Sequence, residues 1–126
     1  MKIVTTLKFA LVILLFTSCV QKSYNRTVVY TLDVSELKDV KKVGIRGENN
    51  PLSWQNDLAM KEIVKDSLYT ITVTGETGQL FTEVKFTVND EFELKEKPNR
   101  RVVFDEIGKT TKYHAVFDVA KLFIAT

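Results

Sequence analysis

Apolar and polar positions alternate with a period of two through most of this chain beyond its first two dozen residues. At 27–34, Val28, Tyr30, Leu32 and Val34 fall on one side, while Val29, Thr31 and Asp33 fall on the other. That is the pattern of a strand with one buried face, because successive side chains of an extended backbone point to opposite faces. The same rule predicts strands at 40–46, ending on Gly47, and at 68–74 with Tyr69, Ile71 and Val73 on one face. It predicts others at 81–88 with Val84, Phe86 and Val88 together, at 99–104, and at 113–119 with Tyr113, Ala115, Phe117 and Val119 on one side. Between them lie Gly47-Glu-Asn-Asn-Pro51, Gly75-Glu-Thr-Gly78, Asn89-Asp90, Lys97-Pro98-Asn99 and Gly108, residue types that form turns for identifiable backbone reasons. A turn is expected at 35–39, and no stretch reads as a long amphipathic helix. About six to eight short strands with frequent turns predict an all-β fold, a small antiparallel β-sandwich of immunoglobulin-like type over 27–126.

The N-terminal segment follows a different rule. Lys2 and Lys8 precede the apolar run Phe9-Ala-Leu-Val-Ile-Leu-Leu-Phe16, and small Thr17-Ser18 stand before Cys19. This is the layout of a secretory signal peptide, here 1–18. The run is far shorter than the roughly 20 apolar residues a helix needs to span a bilayer. A cysteine directly after the small residues resembles a bacterial lipobox, although Phe16 stands where a smaller aliphatic residue is typical. The resemblance implies that Cys19 is lipidated and anchors the mature chain at the bacterial cell envelope, on the outer membrane. Several acyl chains would hold it firmly, at about 0.8 kcal/mol for each buried methylene. Residues 19–26 then form a short polar tether.

Size and charge narrow the function classes. Of 126 residues, removal of the first 18 leaves 108, enough for one domain with one core. The 18 basic and 16 acidic residues become balanced once Lys2 and Lys8 are set aside with the leader. Lys41-Lys42 and Arg100-Arg101 are isolated pairs, so the basic footprint of a nucleic-acid binder is lacking. Cys19 is the only cysteine, which excludes an internal disulfide and a cysteine-based zinc site.

Catalytic signatures are equally sparse. His114, the only histidine, points away from Tyr113 and Ala115 on its strand and reads as an ordinary half-exposed residue. No nucleophile elbow, phosphate loop or dinucleotide fingerprint occurs, and Gly44-Ile-Arg-Gly47 lacks a third glycine and a following helix. The carboxylate pairs Glu91/Glu93 and Asp105/Glu106 read as solvated surface rather than as a glycosidase pair. No enzyme activity, metal or cofactor is implied.

One ordered set of residues is more specific. Val43-Gly-Ile-Arg-Gly47 leads through Leu52-Ser-Trp54 to Leu68-Tyr-Thr-Ile-Thr-Val73, then to Glu83-Val-Lys-Phe86, Phe92-Glu93 and Asn99-Arg100. In this order the chain resembles the family 20 carbohydrate-binding module, the starch-binding domain appended to many amylases. The resemblance covers about half of the chain. It implies an α-glucan or similar oligosaccharide as partner, with two aromatic rings stacked on sugar and a few polar side chains reaching the hydroxyls. Trp54 matches the first ring, Lys85 the lysine, Glu93 the glutamate and Asn99 the asparagine. Phe92 replaces a second tryptophan, and can stack with less area. The family's second site has no counterpart, since Leu68, beside Tyr69, stands where its tryptophan would be.

Each of these residues also has a structural reading. Trp54 can anchor its loop in the core, Phe92 can be core, Lys85 can be a solvated lysine, and Asn99 can simply begin a strand. A protein-interaction or scaffold module of the same fold is the alternative.

Overall fold

The computed structural model describes residues 22–120. The expected leader, the lipidation site Cys19 and residues 20 and 21 of the expected tether lie outside the described residues, while the tether's last three residues, Tyr24 to Arg26, are not a free linker but the start of the first strand, paired with 75–77.

Among the described residues nine strands carry the fold: β1 (Tyr24–Asp33), β2 (Val43–Gly47), β3 (Leu58–Ala59), β4 (Lys61–Val64), β5 (Leu68–Thr77), β6 (Phe81–Val88), β7 (Glu91–Phe92), β8 (Arg100–Val103) and β9 (Thr110–Val116). They form two sheets. The first runs β4-β5-β1-β9, antiparallel except that β9 lies parallel to β1. The second runs β3-β2-β6-β7, with β8 also paired to β6. No helix occurs among the described residues, and the architecture is the all-β sandwich that the period of two predicts.

The core lies where the inner faces meet. Val28, Tyr30 and Leu32 of β1 and Ala115 of β9 pack with Val43, Ile45, Val84, Phe86, Val88 and Val102 of the other sheet. Tyr30 is the pivot: its ring meets Phe86 edge-on at 6.1 Å and Tyr113 at 6.1 Å. Such edge-to-face pairs contribute about 0.5–1.5 kcal/mol beyond their buried area. Burial raises the Tyr30 hydroxyl pKa far above the ordinary tyrosine value, and the neighbouring Tyr113 adds to the shift.

The observed boundaries differ from the periodic reading where longer-range pairing decides. β9 spans Thr110–Val116 rather than 113–119, because its register follows β1 from Thr27↔Thr110 to Asp33↔Val116 and stops with it. Phe117 then donates its N–H to Asp33, and Asp118 turns the chain with a φ of 63°. β2 begins at Val43 rather than at residue 40: the Asn89 side-chain oxygen accepts the N–H groups of both Lys41 and Lys42, substituting for a strand partner. Gly75 lies inside β5, opposite Arg26, and not in a turn. A Cβ there would collide with the Asn50 carbonyl, so glycine serves close approach of two backbones. The short strands β3, β4 and β7 are too brief for any periodicity to reveal.

Candidate functional site

Alternation along β2 and β6 sends two sets of side chains in opposite directions. Ile45, Val84 and Phe86 go inward and are fully buried. Gly44 and Arg46 of β2, and Glu83, Lys85 and Thr87 of β6, therefore belong to the outer face. Register aligns Arg46 with Lys85, Gly44 with Thr87, and Thr87 with Phe92 of β7. The outer face of this sheet is thus where Lys85 and Phe92 meet.

Arg46 organises that face. Its Nε donates to Asp57 Oδ1 at 2.7 Å, and its Nη1 donates to the Trp54 carbonyl at 3.0 Å. The guanidinium carbon lies 4.9 Å from the centroid of the Phe92 ring, within cation–π range. One guanidinium therefore joins the Trp54 loop to Phe92 across β6. Beneath this layer Thr87 is fully buried, and its hydroxyl has no hydrogen-bond partner among the described residues. Asp57 lies over Gly44 so closely that a Cβ there would stand 2.7 Å from the Asp57 carboxyl carbon. Glycine at 44 is what admits the Asp57–Arg46 pair, whose side chains are only 19% and 17% exposed.

Lys85 and Asn99 complete the face. The Lys85 amino group donates to the Leu94 carbonyl at 3.1 Å and to the Lys97 carbonyl at 3.0 Å. It thereby holds the 94–97 segment, in which Leu94 and Glu96 adopt left-handed φ of 49° and 61°. An ammonium has three N–H groups, so one remains. Asn99 is exposed and donates from Nδ2 to Glu83 Oε2 at 3.3 Å, which leaves its carbonyl oxygen. Trp54 and Phe92 are both partly buried, neither sealed in the core nor standing free.

Glu93 is the exception among the expected ligands. Following Phe92 by one residue, it points the opposite way and is 1% exposed. Arg100 binds it at 2.6 and 2.7 Å through Nε and Nη2. The backbone N–H groups of Phe86 and Asp118 donate to the same carboxylate. The expectation that Glu93 reaches sugar hydroxyls does not match this position: its lone pairs are committed inside the domain, where leaving Arg100 unpaired would be costly.

Sequence reading missed Arg46 and Asp57. The available signal was an arginine in a strand bounded by Gly44 and Gly47, where alternation puts it on the outer face. Beside Leu68, where the family's second site would lie and where no site is expected, Tyr69 is buried and its hydroxyl donates to Glu62. His114 stands exposed on β9. A further concavity at the end of the sandwich, beside Arg26 and Phe104, leaves about 20 Å³ for the centre of a water-sized sphere. That is room on the scale of one water molecule, not of a sugar ring.

The outer face thus presents the Phe92 ring, a fixed guanidinium with N–H groups to spare, one ammonium N–H and one amide, with the backbone of the half-buried Trp54 tied to its edge. This array suits recognition of a hydroxyl-rich ligand with flat apolar faces.

No protein-family model matches the chain, and no curated protein matches it. Among solved structures, the chain is similar to a glycoside hydrolase family 15 glucoamylase from Hypocrea jecorina, with a TM-score of 0.57 and 16% sequence identity. The likeness covers 80% of this chain and 18% of that one. It is a likeness of fold: the sandwich recurs as a minor segment of a much longer protein.

Proposed function

We propose that this chain is a noncatalytic carbohydrate-binding domain, related to the family 20 modules, that holds an α-glucan or similar oligosaccharide at the bacterial cell envelope through a lipid on Cys19. The observation that supports this reading is that Lys85, Phe92 and Asn99, from separate segments, share the outer face of one sheet, to whose Arg46 the Trp54 backbone is hydrogen-bonded. The fold likeness to a segment of a glucoamylase adds support, although fold alone does not assign function. Binding would combine stacking on Trp54 and Phe92 with hydrogen bonds from Arg46, Lys85 and Asn99, and no bond would be cleaved. Affinity would be weak, because a small exposed platform buries little surface.

Electrophoresis of the protein through a native gel cast with glycogen tests this. Retarded migration, relieved by free maltooligosaccharide, is the expected result, and unaltered mobility would overturn it. A scaffold module of the same fold is the second reading. It is favoured by Leu80 and Val103, apolar yet 71% and 66% exposed. Unaltered mobility would leave that reading standing.

A further inference from the structure

Phe92 borders a second feature besides the Arg46 layer. Together with Leu37, Phe117 and the aliphatic stem of Val88, it lines an open groove of about 570 Å³, in the range of small-molecule sites. Three lysines, Lys38, Lys95 and Lys97, stand around the same groove. Its two carboxylates are occupied: Glu91 faces Lys95 at 3.8 Å, and Asp118 accepts the Leu94 N–H at 2.7 Å. Neither Lys38 nor Lys97 has a carboxylate within ion-pair distance among the described residues. Lys97 contributes only its backbone carbonyl to the Lys85 contact, so its ammonium is uncommitted. The groove therefore pairs aromatic and aliphatic walls with three ammonium groups against two carboxylates, and Lys38 and Lys97 are the two ammonium groups with no carboxylate beside them.

We infer that the saccharide taken by this domain is acidic, its sugar rings seated on Phe92 and its carboxylates reaching Lys38 and Lys97 along the adjoining groove. The inference rests on the carbohydrate-binding reading and names the ligand class within it. A neutral glucan would leave both ammonium groups facing water. A carboxylated glycan of the same ring geometry would give each a partner. Pairs at exposed positions are individually weak and screened by salt, so the preference should be a modest factor that salt removes.

The test is a pair of titrations followed by the fluorescence of Trp54. One uses a neutral maltooligosaccharide, and the other uses the same oligomer with its C6 hydroxymethyl groups oxidised to carboxylates. The oxidised oligomer should bind about fivefold tighter at low ionic strength, and this advantage should vanish in 0.5 M salt. It should also vanish in the double variant Lys38→Gln/Lys97→Gln, whose thermal midpoint should match that of the parent. Equal or weaker binding of the oxidised oligomer would overturn the inference and leave carbohydrate binding intact. Binding of neither oligomer would overturn both. An oligoglutamate that binds as tightly as the oxidised sugar would also overturn it, in favour of an acidic peptide.

Discussion

Glu93 and Arg100 form a two-point ion pair at 2.6 and 2.7 Å with side chains 0% and 3% exposed. The pair is a junction rather than an isolated bridge. Glu93 also binds the N–H groups of Phe86 and Asp118, and Arg100 donates to the carbonyls of Val116 and Val119. Burial alone would lower the Arg100 pKa, but the hydrogen bonds and charge of Glu93 outweigh it and raise it. The segment from Val116 to Val119, at the end of β9 and just past it, is fastened to the second sheet through these two residues.

Removing one partner should therefore leave a buried charge without compensation. Glu93→Ala or Arg100→Ala should each destabilise the domain by about 3–5 kcal/mol, measured by urea denaturation. A double-mutant cycle should show strong coupling, the double variant costing much less than the two single losses combined. Independent, additive losses would contradict the junction.

A second prediction concerns alkaline pH. The neutral Tyr30 hydroxyl is favoured by the fold, so its folded pKa lies above the unfolded value of about 10. Tyr69 is shifted in the same direction, by burial first and then by its hydrogen bond to Glu62. The stability linked to these groups is fully present below pH 10 and is lost progressively as the pH climbs towards the folded values. Thermal midpoints should fall steeply above about pH 10, and Tyr30→Phe should make that fall shallower. Equal slopes in the two proteins would exclude Tyr30 as a source.

Gly44 offers a test of how the outer face is built. In Gly44→Ala the new methyl would meet Asp57 at 2.7–2.9 Å, forcing that side chain aside and detaching it from Arg46. A cost of about 1–3 kcal/mol is expected for overpacking of this kind, together with weaker retardation in a glycogen gel. Unchanged stability and retardation would mean that Asp57 shifts freely and that its pairing with Arg46 is dispensable.

The anchor is tested by labelling. Cys19→Ser should abolish incorporation of a fatty acid and move the protein from the membrane fraction to the soluble one. Labelling that persists would exclude lipidation at this residue.

Alternation exposed most of the sandwich to a reading of the sequence, because β1 and β6 each bury one face of a long strand and repeat that choice several times. It failed where a partner set the register. The end of β9 is decided by β1, more than seventy residues earlier, and the role of Gly75 is decided by the Asn50 carbonyl. At the site, a family resemblance singled out Trp54, Lys85, Phe92 and Asn99, and strand pairing puts Lys85 and Phe92 on one outer face. The same pattern carried Glu93 along with Phe92, although adjacent strand residues point to opposite faces. Alternation applied to that pair would have separated them. Arg46 stayed hidden because its partners come from two other segments, Trp54 and Asp57 from the loop after β2 and Phe92 from β7.

The last prediction uses Trp54 as the chain's only tryptophan, so that its emission reports one place. If the ring stacks on sugar, maltooligosaccharides should change that emission in a saturable way. Trp54→Ala should then abolish binding at little cost in stability, because the indole is only partly buried and the Arg46 contact is made to the backbone carbonyl, which alanine retains. If the ring is instead an anchor of its loop, the same substitution should cost about 3–5 kcal/mol, as for large aromatic truncations in packed interiors, and sugar should leave the emission unchanged. Phe92→Trp separates the two cases from the other side. A larger ring on β7 gives a stacked sugar more area and Arg46 a better π face, so binding should tighten severalfold. A variant that folds normally yet binds no tighter would show that Phe92 does not stack on the ligand. Measured together, Trp54→Ala and Phe92→Trp also distinguish a platform of two rings from one ring assisted by Arg46: in the first case both substitutions change affinity, and in the second only the loss of Trp54 does.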